Sequence, residues 1–257
     1  MEIRLLCENL AADMHWQAEW GFSALISHAG KQVLFDTGFS DVWQRNADHA
    51  GLDLERVDVI ALSHFHRDHT RGLLSHRFKT RKPLVAHPRV LTAVLDTDDA
   101  QIIADYAAIQ AVMQRDFDVQ TTSASRQIVP DGWFLGEIPR VTTFEKGTFF
   151  DDPMEDDTAL AFATEKGAVV VSGCSHAGIC NICEHAKAVT GQRLYAVIGG
   201  FHMMHAEDPP VADTIAYFKR EAPEVLLPMH CIDFDYMVQF SNELGIIRKG
   251  SGDVITL

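Results

Sequence analysis

The stretch LSHFHRDHTRG, residues 62–72, sets three histidines and an aspartate within six positions, directly after the apolar run VDVIA. His64 and His66 are two apart, so on an extended or turning backbone their side chains can flank one point, whereas on a regular helix they would diverge. Asp68 and His69 supply a second cluster. A hard carboxylate oxygen beside borderline imidazoles suits a divalent transition ion such as zinc, manganese or iron. Four donors on one loop are too many for one tight site, so the loop points to a pair of ions. Two ions about 3.5–4 Å apart can polarise a single ester oxygen together. A solvated polar loop is the plain alternative, disfavoured by the embedded aspartate and the apolar strand before it.

The remainder alternates strands and helices. EIRLLCE, GFSALISHAG and KQVLFDTG read as strands, the latter two joined at Ala29-Gly30, and DVWQRNADHAG reads as a helix. Beyond the histidine loop, TRGLLSHRF and RVLTAVLD read as helices around the strand PLVAH. AQIIADYAAIQAVMQRDF reads as one more helix, with Ile102, Ile103, Tyr106, Ile109, Val112 and Met113 at near-helical spacing. It has the look of a helical insertion near 96–117 that covers the histidine loop, packing on its own domain or against a second copy in a homodimer. In the second half TALAFATEKGAVVVSG is a hairpin, ICNICEHAKAV a helix, YAVIGG a strand, PPVADTIAYFKREA a helix, EVLLPMHC a strand and DYMVQFSNELG a helix. Three of its strands run into His176, His202 and His230. Strand ends converge at one rim of a layered sheet protein, so residues remote in sequence can meet there.

A chain of 257 residues, 47% of them hydrophobic, can bury one large core, and a single domain over 1–257 is the expectation. MEIRLLCENL lacks the pattern of a signal peptide and no long apolar run occurs, which predicts a soluble, cytoplasmic protein with no membrane partner. A formal net charge of −14 disfavours nucleic acid as a partner. Five cysteines, an odd number, do not suggest a disulfide framework. Cys180 and Cys183 share a helix face and read as a buried structural pair, with a redox or auxiliary metal role beside His185 as the alternative.

HFHRDH matches the H-x-H-x-D-H signature of the metallo-β-lactamase superfamily, and LFDTG, with Asp36, matches the strand-end aspartate that precedes it. GEIPRVTTFE, SGCSHAGICNI, AVIGGFHM and PMHC resemble the branch of 7,8-dihydropterin-6-methyl-4-(β-D-ribofuranosyl)aminobenzene 5′-phosphate synthases and their bacterial relatives. The resemblance covers nearly the whole chain. It implies an α/β fold, an αββα sandwich of the metallo-β-lactamase type, with a dinuclear site at one rim. It assigns His64 and His66 to one metal and Asp68 and His69 to the other, with His176 and His230 as distant ligands. Asp157 in EDDTAL becomes the candidate bridging carboxylate, Asp156 the fallback, and Asp36 the residue that orients a ligand imidazole through its second N–H. His202 in GGFH, where Gly199 and Gly200 let the backbone come close to a ligand, is read as supporting a metal ligand or facing the substrate, with direct ligation as the alternative, and Asp68 and His202 as the residues of the chemistry. The loop departs from the branch at Phe65, Arg67 and Arg71, where relatives favour a small residue, an aromatic and Gly, and HCID stands for HCTG. These departures leave the ligands intact and put the substrate in question.

The reading that follows is a metal-dependent hydrolase holding two divalent transition ions, zinc first and manganese or iron as alternatives, and acting on a small anionic phosphorylated or ester substrate. Arg67, Arg71, Arg140 and Lys146 are the positive residues placed to meet it, Arg140 foremost because it lies in a branch motif, with a pairing to Glu145 as the alternative. The branch name implies a transferase joining a pterin-methyl diphosphate to an aryl riboside phosphate. A metal-binding sensor without turnover is the third possibility.

Overall fold

The computed structural model describes the chain except Lys146, Phe150 and residues 205–208, so Lys146 lies outside the described residues. Two compact units emerge, residues 1–123 with 249–257, and residues 124–248. Each is built on one mixed sheet.

In the first unit β1 (Glu2–Cys7), β2 (Ser23–His28) and β3 (Lys31–Phe35) pair antiparallel, and β4 (Val59–Ala61), β5 (Lys82–Ala86) and β6 (Phe117–Thr121) continue from β3 in parallel. The last strand, β13 (Val254–Thr256), returns to the outer edge of β1. The β2–β3 turn sits where expected, with Ala29 at φ 47° and Gly30 at φ 75°, the left-handed pair whose twist matches a hairpin. Helix α1 (Val42–His49) follows β3 and buries Val42, Trp43 and Ala47. TRGLLSHRF forms only 3-10 turns over Arg71–Ser75, directly after the single α-turn α2 (Arg67–Thr70), and RVLTAVLD only a 3-10 turn at Pro88–Leu91.

The stretch expected as an insertion forms helix α3 (Ala100–Asp116), which joins the parallel neighbours β5 and β6 and is therefore their crossover connection. Its start is fixed by Asp99, whose carboxylate accepts the N–H groups of Gln101 and Ile102. The apolar stripe buries at Tyr106, Ile109 and Met113, while Ile103 is 44% exposed, so the buried face is narrower than the spacing suggested.

In the second unit β7 (Arg126–Val129), β8 (Gly132–Phe134), β9 (Ala159–Thr164) and β10 (Gly167–Ser172) form an antiparallel meander. From β10 the sheet continues in parallel to β11 (Leu194–Gly200) and β12 (Val225–Met229). Helices α4 (Ile179–Thr190), α5 (Val211–Glu221) and α6 (Phe234–Leu244) follow these strands. The core gathers Leu135, Val170, Ile182, Val197, Phe201, Phe218 and Phe240, and Cys180 and Cys183 lie within it on α4. Burial pushes both thiols up, and the nearby Glu145 carboxylate pushes them further. His185 turns to Ser125 Oγ at 3.0 Å and the Leu135 carbonyl at 3.1 Å. The pair is thus packed into the core, in keeping with a structural role.

Both sheets thus carry a parallel half, whose strands end at a common rim within their own unit. The histidines and aspartates of interest sit after those ends: Asp36 after β3, His64 after β4, His176 after β10, His202 after β11 and His230 after β12.

Candidate metal-binding site

Four residues at these strand ends hold left-handed backbone although none is glycine: Asp36 (φ 56°), Ser175 (φ 68°), His202 (φ 47°) and His230 (φ 55°). Such conformations cost on the order of 1–3 kcal/mol each and cluster at functional sites.

In the first unit the histidine loop is built around Asp36. Its carboxylate is fully buried and accepts three hydrogen bonds at 2.7 Å, from the Ser63 N–H, the Ser63 hydroxyl and the His69 Nδ1–H. Ser63 Oγ also lies 2.8 Å from His64 Nδ1. Both imidazoles are thus gripped at Nδ1, so Nε2 is the atom each could present to a metal. Asp36, expected to orient an imidazole, lies against Nδ1 of His69. Ser63 was not legible as part of the site; its signal was only its place between β4 and the first histidine. The rings of His64 and His66 lie 4.6 Å apart and those of His64 and His69 4.3 Å apart, and Asp68 Oδ2 is 3.7 Å from His69 Nε2. The loop backbone is tied down as well: the Thr37 N–H donates to the His69 carbonyl at 2.8 Å and the Phe22 N–H to that of Asp68 at 3.2 Å.

In the second unit the rings of His176 and His202 lie 3.9 Å apart, with Phe149 edge-on to His176 at 5.1 Å. Asp157 is fully buried; its Oδ2 accepts the Ala177 N–H at 2.8 Å, bracing the turn that carries His176. Its Oδ1 has no hydrogen-bond partner among the described residues. Burial pushes the carboxyl up to about 7, assisted by Asp156 and opposed by the Ala177 N–H. Glu145 accepts the N–H groups of Cys180 and Asn181, each at 2.8 Å, and so caps α4 immediately after the His176 turn. Burial holds its carboxyl above the usual range despite those bonds. A cap 35 residues upstream of the N–H group it accepts leaves no sequence signal. His230 is buried, and a donor atom of Cys174 lies within 4.8 Å of its ring. The His202 N–H donates to Cys231 Sγ at 3.2 Å, fixing the His202 backbone beside the β12 end.

Arg67 and Arg140, expected to meet an anionic substrate, both have partners inside the protein. Arg67 Nη1 donates to Asp105 Oδ2 at 2.8 Å. The Arg140 guanidinium donates to the carbonyls of Ile138, Gly147, Pro153 and Met154, and Glu145, its suggested partner, turns to α4 instead. Arg140 therefore ties together the loop that leads into Asp156 and Asp157. Arg140→Ala is expected to lower unfolding stability by roughly 1–2 kcal/mol, with Arg140→Lys recovering part of it. A loss confined to phosphorylated substrates, with melting temperature unchanged, would return Arg140 to the role of anion holder.

Residues 21–208 match Lactamase_B, the metallo-beta-lactamase superfamily. The chain belongs to this superfamily. It is 30% identical to the 7,8-dihydropterin-6-methyl-4-(beta-D-ribofuranosyl)-aminobenzene-5'-phosphate synthase of Methanocaldococcus jannaschii, over 97% of this chain and 95% of that one. Among solved structures, Tm1679, a metal-dependent hydrolase of the β-lactamase superfamily, superposes with a TM-score of 0.81 at 26% identity, covering 100% of this chain and 99% of the other. A diphosphatase of the PhnP family, at 14% identity and TM-score 0.63 over 100% and 97% of the two chains, shares the fold. The expected α/β class and metallo-β-lactamase type of fold hold. Members of the superfamily are largely enzymes that bind divalent metals and act on small molecules. No helix among the described residues is long and apolar enough to cross a membrane.

The donors fit such ions. His64 and His69 present Nε2 because Nδ1 is occupied, and the Asp157 Oδ1 is a buried carboxylate oxygen that a cation would satisfy.

Proposed function

We propose that the protein is a metal-dependent hydrolase with a dinuclear centre, cytoplasmic, acting on a small anionic phosphorylated or ester substrate. The observation that carries the reading is the Asp36–Ser63 grip on His64 and His69, which fixes two imidazoles in the tautomer a metal ligand needs. On this reading His64 and His66 would hold one ion and Asp68 and His69 the other, with His176, His230 and Asp157 as further ligands, and residues 1–257 would serve as one functional domain. Zinc suits this donor set, and imidazole and carboxylate also serve manganese and iron. When bound, such ions supply Lewis acidity and a water acidic enough to be a nucleophile at neutral pH. His202 is the residue for orienting the substrate and passing a proton to its leaving oxygen, since its ring stands beside that of His176. The similarity to Tm1679 favours hydrolysis. The similarity to the synthase favours the second reading, transfer of a pterin-methyl unit with loss of diphosphate.

Elemental analysis and a substrate panel test the proposal. Purified protein should carry about two ions per chain, and His66→Ala or Asp68→Ala about one. Full metal content in both variants would remove the site from this loop. Phosphomonoesters, phosphodiesters, lactones and thioesters should be assayed beside a pterin-methyl diphosphate paired with an aryl riboside phosphate. Hydrolysis of a phosphate or carboxylic ester supports the first reading, a coupled product the second, and full metal content with no turnover a sensor.

A further inference from the structure

Helix α3 reaches the ligand loop through two successive residues. Asp105 is buried, and its Oδ2 accepts Arg67 Nη1 at 2.8 Å and Arg71 Nε at 2.9 Å, while its Oδ1 accepts Gln101 Nε2 at 3.2 Å. Tyr106, also buried, sets its ring 5.7 Å from Phe65, which stands 4.7 Å from the ring of His66. Both guanidiniums lie over the Phe39 ring, at 5.5 Å for Arg67 and 4.8 Å for Arg71, and Arg71 Nη1 also donates to the Phe39 carbonyl at 3.2 Å.

The spacing gives this arrangement its meaning. Arg67 and Arg71 are four apart on α2 and its continuation, so they project from the same face, and Asp68 and His69 between them project elsewhere. One carboxylate oxygen therefore grips a one-turn helix at both ends from the side away from its ligands. So short a turn has little stability of its own. Its orientation must come from outside: main-chain bonds from Phe22 and Thr37 hold its backbone, and Asp105 and the Phe39 ring hold its two arginines.

We infer that Asp105 is a positioning residue of the metal centre, locking the turn that aims Asp68 and His69 by holding Arg67 and Arg71. The two arginines then act as struts, and one of their two positive charges is balanced by Asp105 within the protein. The metal-related consequences rest on the proposed function; the lock on the loop does not.

The experiment compares wild type, Asp105→Asn, Asp105→Glu and, as a control at the far end of the same helix, Asp116→Asn. Asparagine keeps the size of the side chain but cannot accept two cationic donors on one oxygen as a carboxylate does. In metal-free protein, amide hydrogen exchange over residues 66–72 should quicken about tenfold or more in Asp105→Asn, with partial recovery in Asp105→Glu and no change in Asp116→Asn. In metal-loaded protein, chelator competition should show ions released about tenfold more readily, and the cobalt-substituted absorption spectrum should shift. Unchanged exchange over 66–72 in Asp105→Asn overturns the inference. Faster exchange in protein that binds no metal as wild type leaves the lock standing and removes the proposed function. Wild-type metal binding that is unaltered in Asp105→Asn removes the positioning role.

Discussion

Asp36→Ala is expected to cost about 3–5 kcal/mol of stability and to weaken metal retention by about 10–100-fold. The first figure follows from what is stranded: a main-chain N–H, a hydroxyl and an imidazole N–H, all buried and all directed at one carboxylate. Asp36→Asn separates the two effects. Asparagine tolerates the left-handed backbone at φ 56° and keeps the shape of the side chain. Its oxygen must face the Ser63 N–H, which can only donate, so its amide nitrogen takes the place of Oδ2 and faces His69 Nδ1. The imidazole then accepts at Nδ1 and carries its proton on Nε2, the atom a metal needs. Asp36→Asn should therefore retain most of the stability in urea denaturation while losing metal nearly as readily as Asp36→Ala. Wild-type retention by Asp36→Asn in chelator competition would show that Asp36 does not set the tautomer.

The elements that the sequence discloses are those whose own pattern suffices. The β2–β3 hairpin is legible from its alternation and its Ala-Gly turn, and α4, α5 and α6 from apolar spacing closed by a left-handed residue at Gly191, Ala222 and Gly245. Elsewhere the deciding contact is remote. RVLTAVLD has helical spacing on paper, yet β-branched Val90, Thr92 and Val94 resist a helix and Asp99 starts a new one just beyond. Phe117 reads as the end of α3 because no turn residue separates it from Asp116; pairing with Lys82 on β5 makes it the first residue of β6. The short strand β8 and the edge strand β7 beside it carry too few residues to announce themselves.

The site divides in the same way. His64, His66, Asp68 and His69 are legible because they are contiguous, and Asp36 because it ends a strand in a recognisable motif. Ser63, Asp105 and Glu145 are not, since each acts by reaching a group that only the fold brings near. The loop's departures from its branch acquire a physical reading here: Phe65, Arg67 and Arg71 are the residues that Tyr106 and Asp105 of α3 engage. A bulky, basic loop and a helix bearing a carboxylate and a phenol at adjacent positions form one device. Substituting Phe65, Arg67 and Arg71 alone should then unsettle the loop unless α3 changes with them.

Gly72→Ala is expected to be the most damaging single methyl addition near the loop. Gly72 does not have positive φ, so the backbone conformation itself would accept alanine. The obstacle is contact: a Cβ there would lie 1.9 Å from the Thr37 carbonyl oxygen, 2.8 Å from its carbon and 2.9 Å from the Ser40 carbonyl oxygen. These are main-chain atoms and cannot rotate away. The Thr37 segment is also the one that holds the ligand loop, through the Thr37 N–H to the His69 carbonyl at 2.8 Å and the Gly72 N–H to the Gly38 carbonyl at 3.0 Å. Parting the two segments to admit a methyl group loses these bonds and shifts Asp36 away from His69. The cost should reach roughly 4 kcal/mol or more, the range of severe overpacking. For a chain of this size that is a fall on the order of 10 °C in melting temperature. Gly51→Ala supplies the contrast, because φ there is 66° but nothing lies within 4 Å of the added carbon. It should cost only the left-handed strain of about 1–2 kcal/mol and leave metal content untouched. Calorimetry and elemental analysis on the two variants read out both quantities, and a Gly72→Ala protein as stable as Gly51→Ala would mean that the loop can draw back from Thr37 without loss.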